Sequence, residues 1–147
     1  MKNLLIDIGK KSKKAFSIQL NTKKKNKILK DYFSLIKKNK NLILKENKKD
    51  LNNAYKNKLK DNQIKRLFLN DKKILNITNS IKRIIKLKDP TNIILEKWKR
   101  PNGLNISKIS IPIGVIAVIY ESRPNVTADV ASLCFKSGNP VILKGGS

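Results

Sequence analysis

The chain has 147 residues, 34 Lys and Arg against 10 Asp and Glu, one Cys and no His. That inventory excludes a disulfide framework, a zinc site and a serine or cysteine triad built from these residues. Lys, Asn and Ile number 30, 18 and 21, so three types with codons rich in A and T fill 69 positions, and the net charge of +24 reads first as a solvated lysine surface produced by biased coding.

Met1-Lys2-Asn3 is followed by only five apolar-leaning residues before Lys10, which is neither a secretion signal nor a membrane span and implies a cytoplasmic protein that does not enter a membrane. Leu4, Leu5, Ile8 and Ser12 with Ala15, Ile18 and Gln19 predict a first amphipathic helix, broken by Asn21-Thr22, which caps the next. Ile28, Leu29, Tyr32, Phe33 and Ile36 carry a second stripe, and Leu42, Ile43, Leu44, Asn47, Leu51 and Ala54 a third. Asp61 to Leu69 gives a short fourth helix, and Asn70 caps a fifth with Ile74, Ile77, Ile81, Ile84 and Ile85 on one side. A period of 3.6 residues ordinarily marks helix-packing faces, so these stripes are read as core. Asp89-Pro90 ends the helical region, 1–90. Within 91–111, segments 92–99 and 104–111 flank Arg100-Pro101-Asn102-Gly103 and predict a hairpin.

Residues 112–147 read as one β-α-β unit. The apolar, β-branched run 113–120 suits a strand buried on both faces of a parallel sheet. A helix follows, with Asn125 as N-cap, Asp129 in the first turn and Val126, Val130, Leu133 and Cys134 at helical spacing until Ser137-Gly138-Asn139. Pro140-Val141-Ile142-Leu143 makes the second strand. The fold class is therefore α/β: N-terminal helices and the start of a doubly wound, Rossmann-like sheet, cut short at two strands. In such sheets ligands sit beyond the carboxyl ends of the strands, here the 121–125 turn and Lys144-Gly145-Gly146-Ser147. No Gly-x-Gly-x-x-Gly occurs, and a Gly-Gly pair alone is a weak signal.

The strings Ile-Pro-Ile-Gly-Val-Ile-Ala-Val-Ile-Tyr-Glu-Ser-Arg-Pro-Asn-Val-Thr and Leu-Lys-Gly-Gly-Ser resemble the gamma-glutamyl phosphate reductases, or glutamate-5-semialdehyde dehydrogenases, of the aldehyde dehydrogenase superfamily. The resemblance runs from the first helices to Ser147, in layout more than in residues before position 110. It implies an N-terminal part of a longer enzyme whose nucleophilic cysteine lies downstream. That enzyme would use NADPH to reduce L-γ-glutamyl phosphate to L-glutamate 5-semialdehyde in proline biosynthesis. Full length, it would be a homo-oligomer paired through the hairpin. The superfamily's Pro-Trp-Asn turn is here longer by two residues and carries Arg-Pro, which points to the reductases rather than ordinary aldehyde dehydrogenases.

By that resemblance Asn125 donates to the oxyanion formed on the acyl carbon, Lys144 contacts the cofactor ribose and 2′-phosphate, and Gly145 and Ser147 line the cofactor. Read without it, Asn125 is a helix cap and Lys144 a solvated strand-end lysine. Arg123 is by default a solvated turn residue; its planar fork suits the phosphate or α-carboxylate of the substrate. Cys134, past the helix middle, is read as a small buried hydrophobe and not as a nucleophile.

Two rivals stand beside the reductase: an aldehyde dehydrogenase of another substrate, and a basic helical nucleic-acid binder. Residues 1–100 hold 30 basic and 8 acidic side chains and 101–147 hold 4 and 2, so the excess charge is expected to lie away from the site. Four Arg, eight aromatic residues and no zinc-finger or RNA-binding signature leave base reading and stacking without their usual residues, so no specific nucleic-acid partner is expected.

Overall fold

The computed structural model describes residues 2–121 and 123–146. Five helices come first: α1 (Lys2–Phe16), α2 (Thr22–Lys38), α3 (Lys40–Lys56), α4 (Asp61–Leu67) and α5 (Asp71–Lys86). Strands β1 (Ile94–Lys99) and β2 (Asn105–Ile109) follow, then β3 (Ile116–Ile119), α6 (Pro124–Lys136) and β4 (Val141–Lys144). Asn21 and Asn70 cap α2 and α5 as their positions predict, each side chain accepting a backbone N–H three residues on at 2.9 Å.

The core lies where α2, α5 and α6 meet. Ile74, Ile77, Ile81 and Ile84 of α5 are buried, Ile81 completely, and Ile36 of α2, Leu69 and Ala128 of α6 close around this ridge. Each fully buried Ile contributes about 1.5–3 kcal/mol. The first helix departs from expectation in two ways. It stops at Phe16, where Ser17 Oγ donates to the Lys14 carbonyl at 2.7 Å, so Ile18 and Gln19 lie outside it. Its apolar stripe is also largely uncovered, with Leu4 and Leu5 more than 60% exposed.

Between 91 and 111 the expected hairpin forms: β1 and β2 pair antiparallel, Trp98 opposite Ile106, with a register irregularity between Ile94 and Glu96. Gly103 takes φ +86, a conformation that favours glycine, and the Leu104 carbonyl accepts from the Arg100 N–H at 2.9 Å. Strands β3 and β4 pair in parallel, Ile116 with Val141 through Ile119 with Lys144, and α6 crosses between them. The strand is shorter than the apolar run 113–120. Gly114, at φ +129, donates its N–H to Asn139 Oδ1 at 3.0 Å instead of joining the ladder. Nor is the run buried on both faces: Ile113 is 87% and Ile119 83% exposed, because β3 has a single neighbouring strand among the described residues. At the far end of α6, Gly138 at φ +74 makes a Schellman turn, with Gly138 N–H to the Phe135 carbonyl and Asn139 N–H to the Cys134 carbonyl. No helix among the described residues is long and apolar enough to cross a membrane.

Among the described residues, Lys25 and Lys136 are the buried lysines. Lys136 of α6 donates to Asn26 Oδ1 of α2 at 2.6 Å and to the Ile85 carbonyl of α5 at 3.2 Å, and burial lowers its pKa. Lys25 of α2 pairs with Asp89 at 3.1 Å, and Thr91 and Thr22 donate to the same carboxylate. Burial alone would raise the Asp89 pKa, but hydrogen bonds from Thr91, Lys25 and Thr22 outweigh it and hold the group down to about 2. A depressed carboxylate stabilises the fold above its unfolded value of 3.8, and that contribution is lost as pH falls toward about 2. Asp89→Asn should therefore flatten the acid limb of a stability-versus-pH curve in that window. Lys25→Met, which strands the carboxylate, should cost about 3–5 kcal/mol in urea unfolding.

Candidate active site

The helix α6 starts with Pro124 at its first position, a placement that suits proline because the missing N–H has no partner there. Arg123, not Asn125, is therefore the N-cap, and its side chain caps nothing. This corrects the capping role expected of Asn125. Its amide does not cap the helix and, among the described residues, reaches Asp129 Oδ2 alone, at 3.5 Å.

Freed in this way, Asn125 lines a cavity of about 280 Å³ whose other walls come from the helical region: Arg66 of α4, Lys73, Asn76, Ser80 and Arg83 of α5, and Asp129 one turn along α6. Basic charge expected to lie away from the site is thus carried to it by α4 and α5. The reason is packing: the apolar ridge of α5 docks on α6, so the polar flank of α5 overhangs the head of that helix. Lys73 Nζ donates to the Phe68 and Lys65 carbonyls at 2.6 and 3.2 Å, closing the C-terminal end of α4.

The residues at the strand ends sit on the other side of the 121–125 turn. Tyr120 N–H donates to the Lys144 carbonyl at 3.0 Å, and a Cβ built on Gly146 would meet Glu121 Cγ at 3.3 Å, so the carboxyl ends of β3 and β4 are adjacent. Lys144 is exposed, with Nζ donating to the Gly145 carbonyl at 2.8 Å. Tyr120 Oη and Thr127 Oγ1 share a 2.5 Å hydrogen bond that ties the end of β3 to the first turn of α6. Arg123 is exposed beside this turn, and neither it nor Lys144 lines the Asn125 cavity. Ser147 lies outside the described residues. Asn125 thus belongs to the charged cavity and Lys144 and Gly145 to the open strand-end ledge, while Arg123 is exposed at the start of α6.

Cys134 is buried on α6, and burial raises its thiol pKa, the opposite of what a nucleophile needs. Arg66 and Arg83 were not singled out by sequence, and Asp129 was read only as a first-turn charge of the helix, whereas α6 starts at Pro124 and has no acidic residue in its first turn. One signal was present: against 30 Lys the chain has only four Arg, at 66, 83, 100 and 123, so each arginine stands out from the lysine background.

A helical layer, an extended hairpin and one parallel β-α-β unit with polar residues at the strand ends place this chain in the α/β class. No protein-family model matches it. Over 127 residues the chain is 50% identical to the gamma-glutamyl phosphate reductase of Nautilia profundicola, covering 86% of this chain and 31% of that relative. Over 144 residues it is 44% identical to the one from Carboxydothermus hydrogenoformans, covering 97% and 35%. The crystal structure of the Thermotoga maritima gamma-glutamyl phosphate reductase superposes with a TM-score of 0.92 at 37% identity, covering 97% of this chain and 35% of that one. In sequence and in fold, then, the chain matches the N-terminal part of gamma-glutamyl phosphate reductase, and it spans about a third of the length of the curated relatives it matches.

With its thiol buried, Cys134 should resist alkylation at neutral pH until denaturant is added; rapid labelling of the native protein by iodoacetamide would contradict its buried placement.

Proposed function

We propose that this chain forms the substrate-activating part of an enzyme that reduces L-γ-glutamyl phosphate to L-glutamate 5-semialdehyde and phosphate with NADPH, in the cytoplasm. The observation that carries this reading is the position of Asn125: an amide freed from capping, at the head of α6, opening into a cavity walled by cations. Similarity to gamma-glutamyl phosphate reductases supports it.

In this reading a thiolate from the remainder of such an enzyme attacks the γ-acyl carbon and phosphate leaves. Negative charge develops on the carbonyl oxygen, and Asn125 Nδ2 donates to it, stabilisation worth about 2.7–4 kcal/mol per donor. Arg123, solvated at the same turn, takes the departing phosphate through its paired N–H groups. A buried thiol with a raised pKa keeps Cys134 out of the chemistry.

Nicotinamide cofactor, when bound, supplies the hydride that yields the aldehyde. The residues present fit it at the strand-end ledge: Lys144 is exposed there, and Gly145 and Gly146 keep the surface low beside Tyr120 and Glu121. Lys144 would hold the 2′-phosphate that distinguishes NADP from NAD. Hairpin residues Leu95, Trp98 and Ile109 are exposed apolar side chains, which suits the pairing of subunits through β1 and β2.

The test is phosphate-dependent reduction of NADP by L-glutamate 5-semialdehyde, the reverse reaction, with the full-length protein. Asn125→Ala should lower kcat about 100- to 1,000-fold, and Arg123→Ala should raise the KM for phosphate. An enzyme that oxidises simple aldehydes without regard to phosphate would point to an aldehyde dehydrogenase of another substrate.

A further inference from the structure

The cavity at Asn125 holds charges of both signs that do not meet. Arg66, Arg83 and Lys73 line it together with Asp129, yet none of the ion pairs among the described residues joins any of these cations to that carboxylate. Lys73 is occupied with the Phe68 and Lys65 carbonyls. Among the described residues, neither guanidinium takes part in a hydrogen bond or an ion pair.

Asp129 is as poorly served. Its Oδ1 is shielded from solvent without a hydrogen-bond partner among the described residues, and its Oδ2 accepts only the 3.5 Å contact from Asn125. A carboxylate oxygen shielded from water without a hydrogen bond is costly, and a cation brought to the cavity would offset that cost. The groups that line the cavity from α4 and α5 are the cations Arg66, Lys73 and Arg83 and the neutral Asn76 and Ser80, and Tyr32 of α2 lies close enough to feel the Asp129 charge.

Separated charges of opposite sign in one small cavity are the complement of a zwitterion. We propose that this cavity binds the α-amino acid head of the substrate: the ammonium at Asp129 and the α-carboxylate at Arg66 and Arg83. This deepens the reading above and rests on it in one respect, the acyl group lying at Asn125. The division of labour follows from chemistry. Guanidinium forks match a planar carboxylate with two parallel hydrogen bonds, and a carboxylate whose hydrogen bonding is incomplete accepts from an ammonium. Asn125, in the same cavity, stands where the γ-carbonyl of a bound glutamyl chain arrives. Arg123 is outside that cavity, so the head and the phosphate are recognised by different arginines.

Three probes that differ by one group each test this on the full-length protein by titration calorimetry: L-glutamate, glutarate without the ammonium, and 4-aminobutanoate without the α-carboxylate. L-Glutamate should bind at least about tenfold more tightly than either, the scale of one hydrogen bond to a charged group. Asp129→Asn, nearly isosteric, should abolish the preference over glutarate and leave 4-aminobutanoate weakened in step with L-glutamate. The double change Arg66→Met with Arg83→Met should abolish the preference over 4-aminobutanoate; the Arg66→Lys, Arg83→Lys pair, which keeps charge but loses the forks, should restore only part of it. Equal binding of the three probes, or preferences that the variants do not move, would overturn the assignment even if the reductase assay succeeds. Preferences that follow the variants in a protein without phosphate-dependent NADP reduction would uphold the amino-acid subsite and sink the reaction.

Discussion

The head of α6 can serve a site only if its far end is fixed, and Lys136 fixes it. This ammonium, in the last turn of the helix, is withdrawn from water and spans from the α2 side chain of Asn26 to the α5 backbone at Ile85. Neither acceptor is charged, so its geometry rests on hydrogen bonding rather than on a partner carboxylate, and desolvation depresses its pKa accordingly. The apolar contact of Ala128 with the isoleucine ridge of α5 resists tilting of α6, while Lys136 resists its sliding. Together they hold residues 125 and 129 at the wall of the cavity they share with α4 and α5.

A second fastening holds the β-rich part to the helices. Lys25, Asp89, Thr91 and Thr22 form a compact polar knot where the chain leaves α5, and the space beside it admits Gly138 only because a glycine has no side chain there: a Cβ would sit 3.1 Å from Pro112 and 3.2 Å from Thr91. The turn after α6 and the start of the hairpin are thereby packed against each other. A buried ion pair of this kind fixes geometry more than it adds net stability.

Much of this architecture was legible in the residues. The isoleucine period of α5, the caps at Asn21 and Asn70 and the Pro-Asn-Gly turn each reflect local physics, and each holds in three dimensions. What was misread involves choices that only packing or competition decides. Asn125 has the better capping side chain, yet the rigid ring of Pro124 takes the first helical position and leaves Arg123 outside as a cap without a capping bond. The strand 113–120 has the composition of a fully enclosed one, but enclosure depends on neighbours that these residues do not include. The site itself was half legible: the 121–125 turn announced itself, whereas Arg66 and Arg83 lie 59 and 42 positions before Asn125 and become neighbours through the docking of α5.

The lysine coat, read at first as a mark of nucleotide composition, also has a kinetic meaning. A surplus of positive charge on the helical surface projects an attractive potential over roughly a Debye length, about 8 Å at physiological ionic strength. Since α4 and α5 carry part of that surplus to the rim of the cavity, a small anion diffusing nearby is drawn inward before it touches the protein. Its encounter rate then falls as salt rises, even though the groups that hold it once bound are partly shielded from that salt. The same basic surface that gives the chain its charge thus bears on how often a ligand arrives.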